Sequence, residues 1–345
     1  MHMADALISP TVGGVMWAVS VGAVAYSTVR IKKTSAEQDE IGGGLVSKAS
    51  LMAMSGAFVF AAQMINFTIP ATGSSGHIGG GMLLACLLGS YPALLTITSV
   101  LAVQAFFFAD GGLLALGCNI FNMGVIPCLF VYPLVVKPLL RKWQEVQRQG
   151  YLIAGCAIGV MLALPLGAFF VVLETLISGV TALPFSTFLF LMLPIHAAIA
   201  ISEAVVTAAV AAFVAANSPS LIEGASVQVS KAGAFKRVIA VLGICALVTG
   251  GLLSLFASSY PDGLEWSIEK ITGSADMEAA GEVFERAAAL QDATAFMPDY
   301  DYAEVNTAAN GTTIAGIVGS LITCVIAGTL GVALYLLKRK KAPVL

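Results

Sequence analysis

The chain has 345 residues, a formal net charge of −3, 58% hydrophobic and only 11% charged residues, and a mean hydropathy of +0.91. Soluble domains carry about 25% charged residues, so this composition argues against a soluble protein and gives no reason to expect a nucleic-acid partner. The net charge itself says little, because the charges are segregated along the chain.

Apolar runs of roughly 20 residues recur, the pattern of an all-α, polytopic transmembrane protein. The first run covers about 11–29 and is followed by Arg30, Lys32, Lys33 and Lys48. The second, about 49–69, ends at Pro70 and the loop Gly73-Ser74-Ser75-Gly76-His77. Residues 78–90 form a short, glycine-rich segment that is not long enough to span as a helix alone. A fourth run, about 93–109, stops at Asp110-Gly111-Gly112, where a carboxylate and two glycines break a helix. The run 117–136 precedes a polar amphipathic stretch from Lys137 to Gly150. Further spans lie within 151–175 and 185–216, after which a polar linker, 217–237, carries Lys231, Lys236 and Arg237. The last two spans, about 238–258 and 312–337, flank a polar, acidic stretch at 259–311, expected as an extracytoplasmic loop. The expected organisation is a domain at 1–216, a linker at 217–237 and a second domain at 238–345. The six cysteines all sit in apolar stretches and read as buried small residues, not as a disulfide framework. No cleavable leader is expected, because a basic n-region is missing and Asp5 precedes the first apolar run.

Basic residues set the orientation. Fifteen of the seventeen Lys and Arg fall in four groups, 30–48, 137–148, 231–237 and 338–341. With nine crossings, counting 78–90, all four groups share one side, which the positive-inside rule makes cytoplasmic. The N-terminus, His77 and the 259–311 stretch then lie together outside, and the C-terminus lies inside.

That arrangement brings together a particular set of nitrogens. A free amine at Met1, the amide nitrogen of His2 and the His2 imidazole can close two fused chelate rings around one ion, and His77 can add a fourth nitrogen. Four nitrogens in a plane suit Ni(II) or Cu(II). A lone loop histidine is more often a solvated polar residue; it is the shared face with His2 that favours ligation. His196 lies inside an apolar run, where an ionisable side chain is a functional candidate, although a neutral histidine bonded to a neighbouring helix, or a role supporting the ligands, ranks above direct ligation. Glu203 follows seven residues later on the same helical face and can share a polar network with it. Asp110 reads first as a cap. Asn119 and Asn122 can bond the loop or a neighbouring helix. Pro261-Asp262-Gly263 reads as a turn.

Several stretches resemble one family. The start Met1-His2-Met3-Ala4-Asp5-Ala6-Leu7-Ile8-Ser9-Pro10, the loop 73–77, Ala109-Asp110-Gly111-Gly112-Leu113 with Gly117-Cys118-Asn119-Ile120-Phe121-Asn122-Met123, and His196 to Ala204 are similar to the CbiM/NikM proteins. These are the substrate-binding membrane components of energy-coupling-factor (ECF) cobalt and nickel importers. Met3 is a small departure from the usual start. The tail, with Pro261-Asp262-Gly263-Leu264-Glu265 and the span opening at Ile314, resembles the small CbiN/NikN component, so the chain looks like an M–N fusion. The resemblance implies Met1, His2 and His77 as metal ligands; His196, Asn119, Asp110 and Glu203, read from their own positions, are the candidates to support them. It also implies Ni(II) or Co(II) as transported substrate, no organic cofactor, and partners in a transmembrane coupling component and cytoplasmic ATPases. No GxxxxGK[ST] phosphate loop, HExxH or G-x-S-x-G motif occurs in the chain, so ATP hydrolysis is expected elsewhere. The alternative is a stand-alone secondary permease, for which only Glu174, His196 and Glu203 offer intramembrane groups.

Overall fold

The computed structural model describes residues 1–38, 44–222, 232–275, 277, 279–301 and 311–339. Lys231, Lys340 and Lys341 of the basic groups, residues 223–231 of the linker, and Asp276, Glu278 and Glu304 of the acidic stretch lie outside them. The described residues form a bundle of long helices with a single two-stranded hairpin. Among the described residues seven helices are long and apolar enough to cross a membrane. Their outward faces carry exposed large hydrophobic side chains, such as Leu134, Phe190, Ile201 and Val205, as a lipid-facing surface requires. The chain is a polytopic all-α membrane protein.

Helix α1 (Pro10–Gln38) begins at a proline, whose missing N–H costs nothing in the first turn. Helix α2 (Gly44–Gln63) leads into the hairpin β1 (Phe67–Ile69) and β2 (Ser74–Gly76), paired antiparallel with Phe67 opposite Gly76. Helix α3 (Gly81–Leu88) follows, and all eight of its residues are buried. Eight residues rise about 12 Å, well short of a hydrocarbon core of roughly 30 Å. The chain nevertheless changes ends here. His77 stacks on His2 at one end of the bundle, whereas Tyr91, at the start of α4 (Ser90–Phe108), lies 5.5 Å from the Arg30 guanidinium at the other end of α1. An extended stretch plus a short helix makes the passage.

Helix α5 (Leu116–Ile120) runs without a break into a wide π-helical stretch, Phe121–Val136, and then into α6 (Lys137–Val146). The amphipathic 137–150 segment is therefore mostly the continuation of a span. A helical backbone continues across a change of polarity as long as one stripe, here Leu140 and Trp143, stays buried. Pro127 and Pro133 each remove one N–H donor from the π-helical stretch.

Helices α7 (Gln149–Ser178) and α8 (Phe185–Asn217) complete the first part. The second part contributes α9 (Ala232–Gly251) and α12 (Gly311–Arg339), both packed against α2. Helix α9 starts six residues earlier than expected and ends before a single 3-10 turn, Leu253–Phe256. The acidic stretch, expected as a loop, folds into two further helices, α10 (Gly263–Thr272) and α11 (Glu282–Thr294).

Helices α9 and α12 cross at a glycine pair. A Cβ added at Gly316 would come within 2.5 Å of the Gly250 carbonyl oxygen, so the backbones meet directly, as small residues allow between membrane helices. Gly316→Leu should cost roughly 2 kcal/mol or more by overpacking. It should lower the melting temperature of the detergent-solubilised protein; an unchanged melt would show that the helices do not cross there.

Candidate metal centre

Chain termini normally lie at the surface, but this N-terminus threads inward. Met1 and Met3 are buried, Met3 completely. Asn119 clamps the Met3 backbone on both sides: its Oδ1 accepts the Met3 N–H at 2.8 Å, and its Nδ2 donates to the Met3 carbonyl at 3.3 Å. The Gly112 N–H donates to the same carbonyl at 2.9 Å, and Asp5 Oδ1 accepts from the Ala115 N–H at 2.8 Å. A Cβ on Gly112 would land 1.8 Å from Asp5 Oδ1. The Asp110-Gly111-Gly112 sequence thus does more than end α4: it is the groove in which residues 2–5 lie.

The His77 loop is held just as closely. Gly76 leaves no room for a side chain, since a Cβ would sit 2.4 Å from Ile199, and Gly80 has a positive φ of 75°. Glu203 accepts the N–H groups of Gly79 at 2.6 Å and Gly80 at 3.0 Å, while Gln63 donates to the Gly79 carbonyl at 2.9 Å. His77 Nδ1 lies 3.1 Å from the Ile78 carbonyl. That contact places the proton on Nδ1 and leaves the Nε2 lone pair free.

The second part of the chain closes over this corner. The Ser75 N–H donates to the Pro261 carbonyl at 2.8 Å, and the Trp266 indole N–H donates to the Thr72 carbonyl at 3.1 Å. Asp262 caps α10, with Oδ1 accepting from the N–H groups of Leu264 and Glu265, and Glu265 completes a capping box. The other oxygen, Oδ2, lies 3.1 Å from the Met1 amine and 3.9 Å from His77 Nε2. The His2 and His77 rings stack at 5.0 Å and 12°. His2 Nδ1 is 3.2 Å from Asp110 Oδ1, and the Tyr300 hydroxyl from the tail donates to Asp110 Oδ2.

Met1, His77, His196, Asp262 and Gly263 line one cavity of about 10 Å³, room for about one water-sized occupant. His196 Nδ1 is 2.8 Å from the Met192 carbonyl, so its Nε2 carries the lone pair, and that atom is buried with no partner. His196 therefore belongs to the cavity wall. It does not join Glu203 in a hydrogen-bonded network: the two hold different partners. Asn122 bridges to α7: its Nδ2 donates to Glu174 Oε2 at 2.8 Å and lies 3.9 Å from the Met3 sulfur.

Burial, and then the positive charge of the Met1 amine, lower His2 to about 3 and His77 to about 4. Both rings are consequently neutral at physiological pH and offer lone pairs. Burial pushes the Asp262 carboxyl up, but the Met1 ammonium, the two neighbouring histidines and the hydrogen bond from the Glu265 N–H together outweigh it and hold the group well below the usual carboxylate range. Burial raises Asp110 against the opposing hydrogen bond from Tyr300. Among the described residues no three His, Cys, Asp or Glu side chains gather closely enough to hold an ion. A metal centre in this corner therefore has to draw on main-chain nitrogen. Asp262 and Tyr300 are the participants that the sequence reading missed; the Asp262-x-x-Glu265 capping signature was visible, but its second partner lies 261 residues away.

Residues 2–221 match the family model for the cobalt uptake substrate-specific transmembrane region (CbiM), and residues 236–336 match the PDGLE domain. The chain belongs to the CbiM family and carries a fused PDGLE domain. An Archaeoglobus fulgidus relative bearing the name fused nickel transport protein NikMN is 30% identical over 93% of this chain and 95% of its own length. A Haloquadratum walsbyi relative named as a metal transport protein is 34% identical over 64% of this chain and 93% of its own. A crystal structure of a truncated transition metal transporter is 27% identical, covers 62% of this chain and 98% of that one, and superposes with a TM-score of 0.49. This CbiM–PDGLE chain is a multi-pass membrane component of nickel and cobalt transport.

The PDGLE aspartate gives a direct test of the corner. Asp262→Ala removes the partner of the Met1 amine, along with a cap worth about 1 kcal/mol. Brief treatment with an amine-selective acylating reagent, read out by mass spectrometry of the N-terminal peptide, should label Met1 several-fold faster in Asp262→Ala than in the unaltered protein. Equal labelling rates would show that the amine is not held there.

Proposed function

We propose that this chain is the metal-capture subunit of an ATP-driven ECF importer. It takes Ni(II) or Co(II) from outside the cell through the Met1 amine, the His2 amide and imidazole nitrogens, and His77 Nε2. The coupling component and the ATPases are separate chains. In this reading the nine crossings and the positive-inside rule put the Arg30 and Tyr91 end in the cytoplasm and the Met1 end outside.

One observation carries the proposal. The amine and His77 Nε2 both face a single carboxylate oxygen of Asp262, with His2 stacked on His77. The nitrogens are thus gathered before any metal arrives, as a tight site requires. Two carboxylates contact two of them: Asp262 pairs with the Met1 amine, and Asp110 faces His2 Nδ1. Loading exchanges both carboxylate contacts for the metal, and the neutral His2 ring moves its proton from Nδ1 to Nε2, because only Nδ1 can close a chelate ring with the His2 amide. The relatives' names support both nickel and cobalt as cargo; a square of four nitrogens favours Ni(II).

His2→Ala and His77→Ala should each abolish tight nickel binding, and His196→Ala should weaken it roughly 10–100-fold. Acetylating Met1 removes the amine's basicity without moving His2, and should abolish binding and uptake alike. Unchanged nickel affinity in the acetylated protein would remove Met1 from the ligand set. In vesicles, uptake should require ATP and the partner chains; uptake driven by an ion gradient without them would favour a permease.

Proton release supplies a second measure. Both rings are neutral above about pH 4, so they lose nothing when metal binds near neutrality. The ammonium and the amide must each give up a proton, about two per metal. Calorimetry in buffers of different ionisation enthalpy should return that value, and affinity should fall as pH drops from 8 to 6. Release near zero would contradict a ligand set containing the amine and the amide.

A further inference from the structure

Gln104 has no evident reason to be polar. It lies near the end of α4 and is wholly buried, and neither its Oε1 nor its Nε2 has a hydrogen-bond partner. A buried amide left unpaired is costly, so a use for it has to be found. The Asp110 N–H donates to the Gln104 carbonyl at 3.1 Å, which sets the residue beside the turn that faces His2. The Gln104 amide neighbours the His2 ring in the sense of an acceptor and the Tyr300 hydroxyl in the sense of a donor. His2 Nε2 is likewise buried without a partner. With the ring proton on Nδ1, 3.2 Å from Asp110 Oδ1, Nε2 is an acceptor that meets another acceptor. The unpaired atoms on the two residues lack one proton between them.

We infer that Gln104 is a positioning residue for metal capture: its Oε1 accepts the hydrogen bond from His2 Nε2–H, a group present only when the metal holds Nδ1. The inference rests on the ligand set proposed above. On loading, Nδ1 loses one proton and Nε2 gains one, so the ring stays neutral. A ligating histidine almost always donates its other N–H to a partner that fixes its tautomer and orientation. Asp110 faces Nδ1 and is not placed to serve, whereas Gln104 is. Each state of the ring then has its own partner, Asp110 before loading and Gln104 after it. The hydrogen bond gained on loading strengthens the hold on the metal, and it keeps the His2 ring aligned with the chelate.

The test uses the full chain with its native N-terminus, in detergent, with nitrogen-15-labelled histidine. The chain has three histidines, so the ring signals are few, and His2→Ala assigns those of His2. In the unaltered protein, nickel should move the His2 proton from Nδ1 to Nε2, with the Nε2–H resonance downfield as a hydrogen-bonded group. Gln104→Met keeps the volume and removes two unpaired atoms, so its melting temperature without nickel should not fall. Its nickel affinity should drop roughly 10–100-fold, and the Nε2–H resonance should move upfield. Gln104→Glu keeps an acceptor oxygen and should recover most of the affinity and the downfield resonance. A merely space-filling role would leave that resonance in place. An Nε2–H resonance unmoved in Gln104→Met, whatever the affinity, would overturn the role of Gln104 and leave the nitrogen ligands standing. Nickel that leaves the His2 ring of the unaltered protein unchanged would remove His2 from the ligand set, and Gln104 with it, so the two failures are distinguishable.

Discussion

The contact between the Met1 ammonium and the Asp262 carboxylate is the one on which the rest of this corner depends. A buried charge is costly unless it is paired and hydrogen-bonded, and each of these groups answers the need of the other. The same carboxylate is fixed from behind by the first turn of α10, which its other oxygen caps. An N-terminus that would ordinarily fray is thereby tied to a helix 261 residues away. The tail, in turn, gains a fixed seat over the hairpin. Removing one partner strands the other in a dry site, so the pair also makes the two parts of the chain interdependent.

Around that contact the backbone does unusual work. Asn119 and Gly112 treat Met3 as a strand residue to be paired, although neither belongs to a strand, and Glu203 treats Gly79 and Gly80 similarly. Glycine at 76, 80 and 112 lets one segment pass against another where a Cβ would collide. The result is a cluster of nitrogens carried by main chain and two imidazoles, with carboxylates placed to hold them.

Much of the fold was legible. The apolar runs behind α7, α8 and α12 gave those helices nearly residue for residue, because a buried or lipid-facing span leaves a continuous hydrophobic signal. The break between 136 and 137 was misread, since polarity changes there while the helix does not. Helices α10 and α11 were missed because a polar stretch with weak periodicity reads as a loop, although Asp262 and Glu265 announced a helix start. In the corner itself, segregation of the basic residues set His2 and His77 on one face, and the structure stacks them; their role as ligands is the proposal above. The tie between Asp262 and Met1 was not legible, because it depends on a long-range meeting that no local pattern records. Asp110 looked like a cap for the same reason: its partners, His2 and Tyr300, lie far away in sequence.

The short third passage also bears on how the protein is made. Residues 77–80 are not helical and cannot satisfy their own amide groups as a helix does, and unsatisfied groups are not tolerated in a lipid-facing setting. Gln63, which serves the Gly79 carbonyl, leaves the ribosome before this segment. Glu203, which serves the Gly79 N–H, follows 124 residues later. Residues 77–89 therefore cannot settle when they are first synthesised. They have to wait in a wet or shielded place while α4 through α8 are added, and only then fold inward. Membrane insertion of this chain is thus not a simple succession of hairpins, because the Gly79 and Gly80 amides wait for Glu203 of α8.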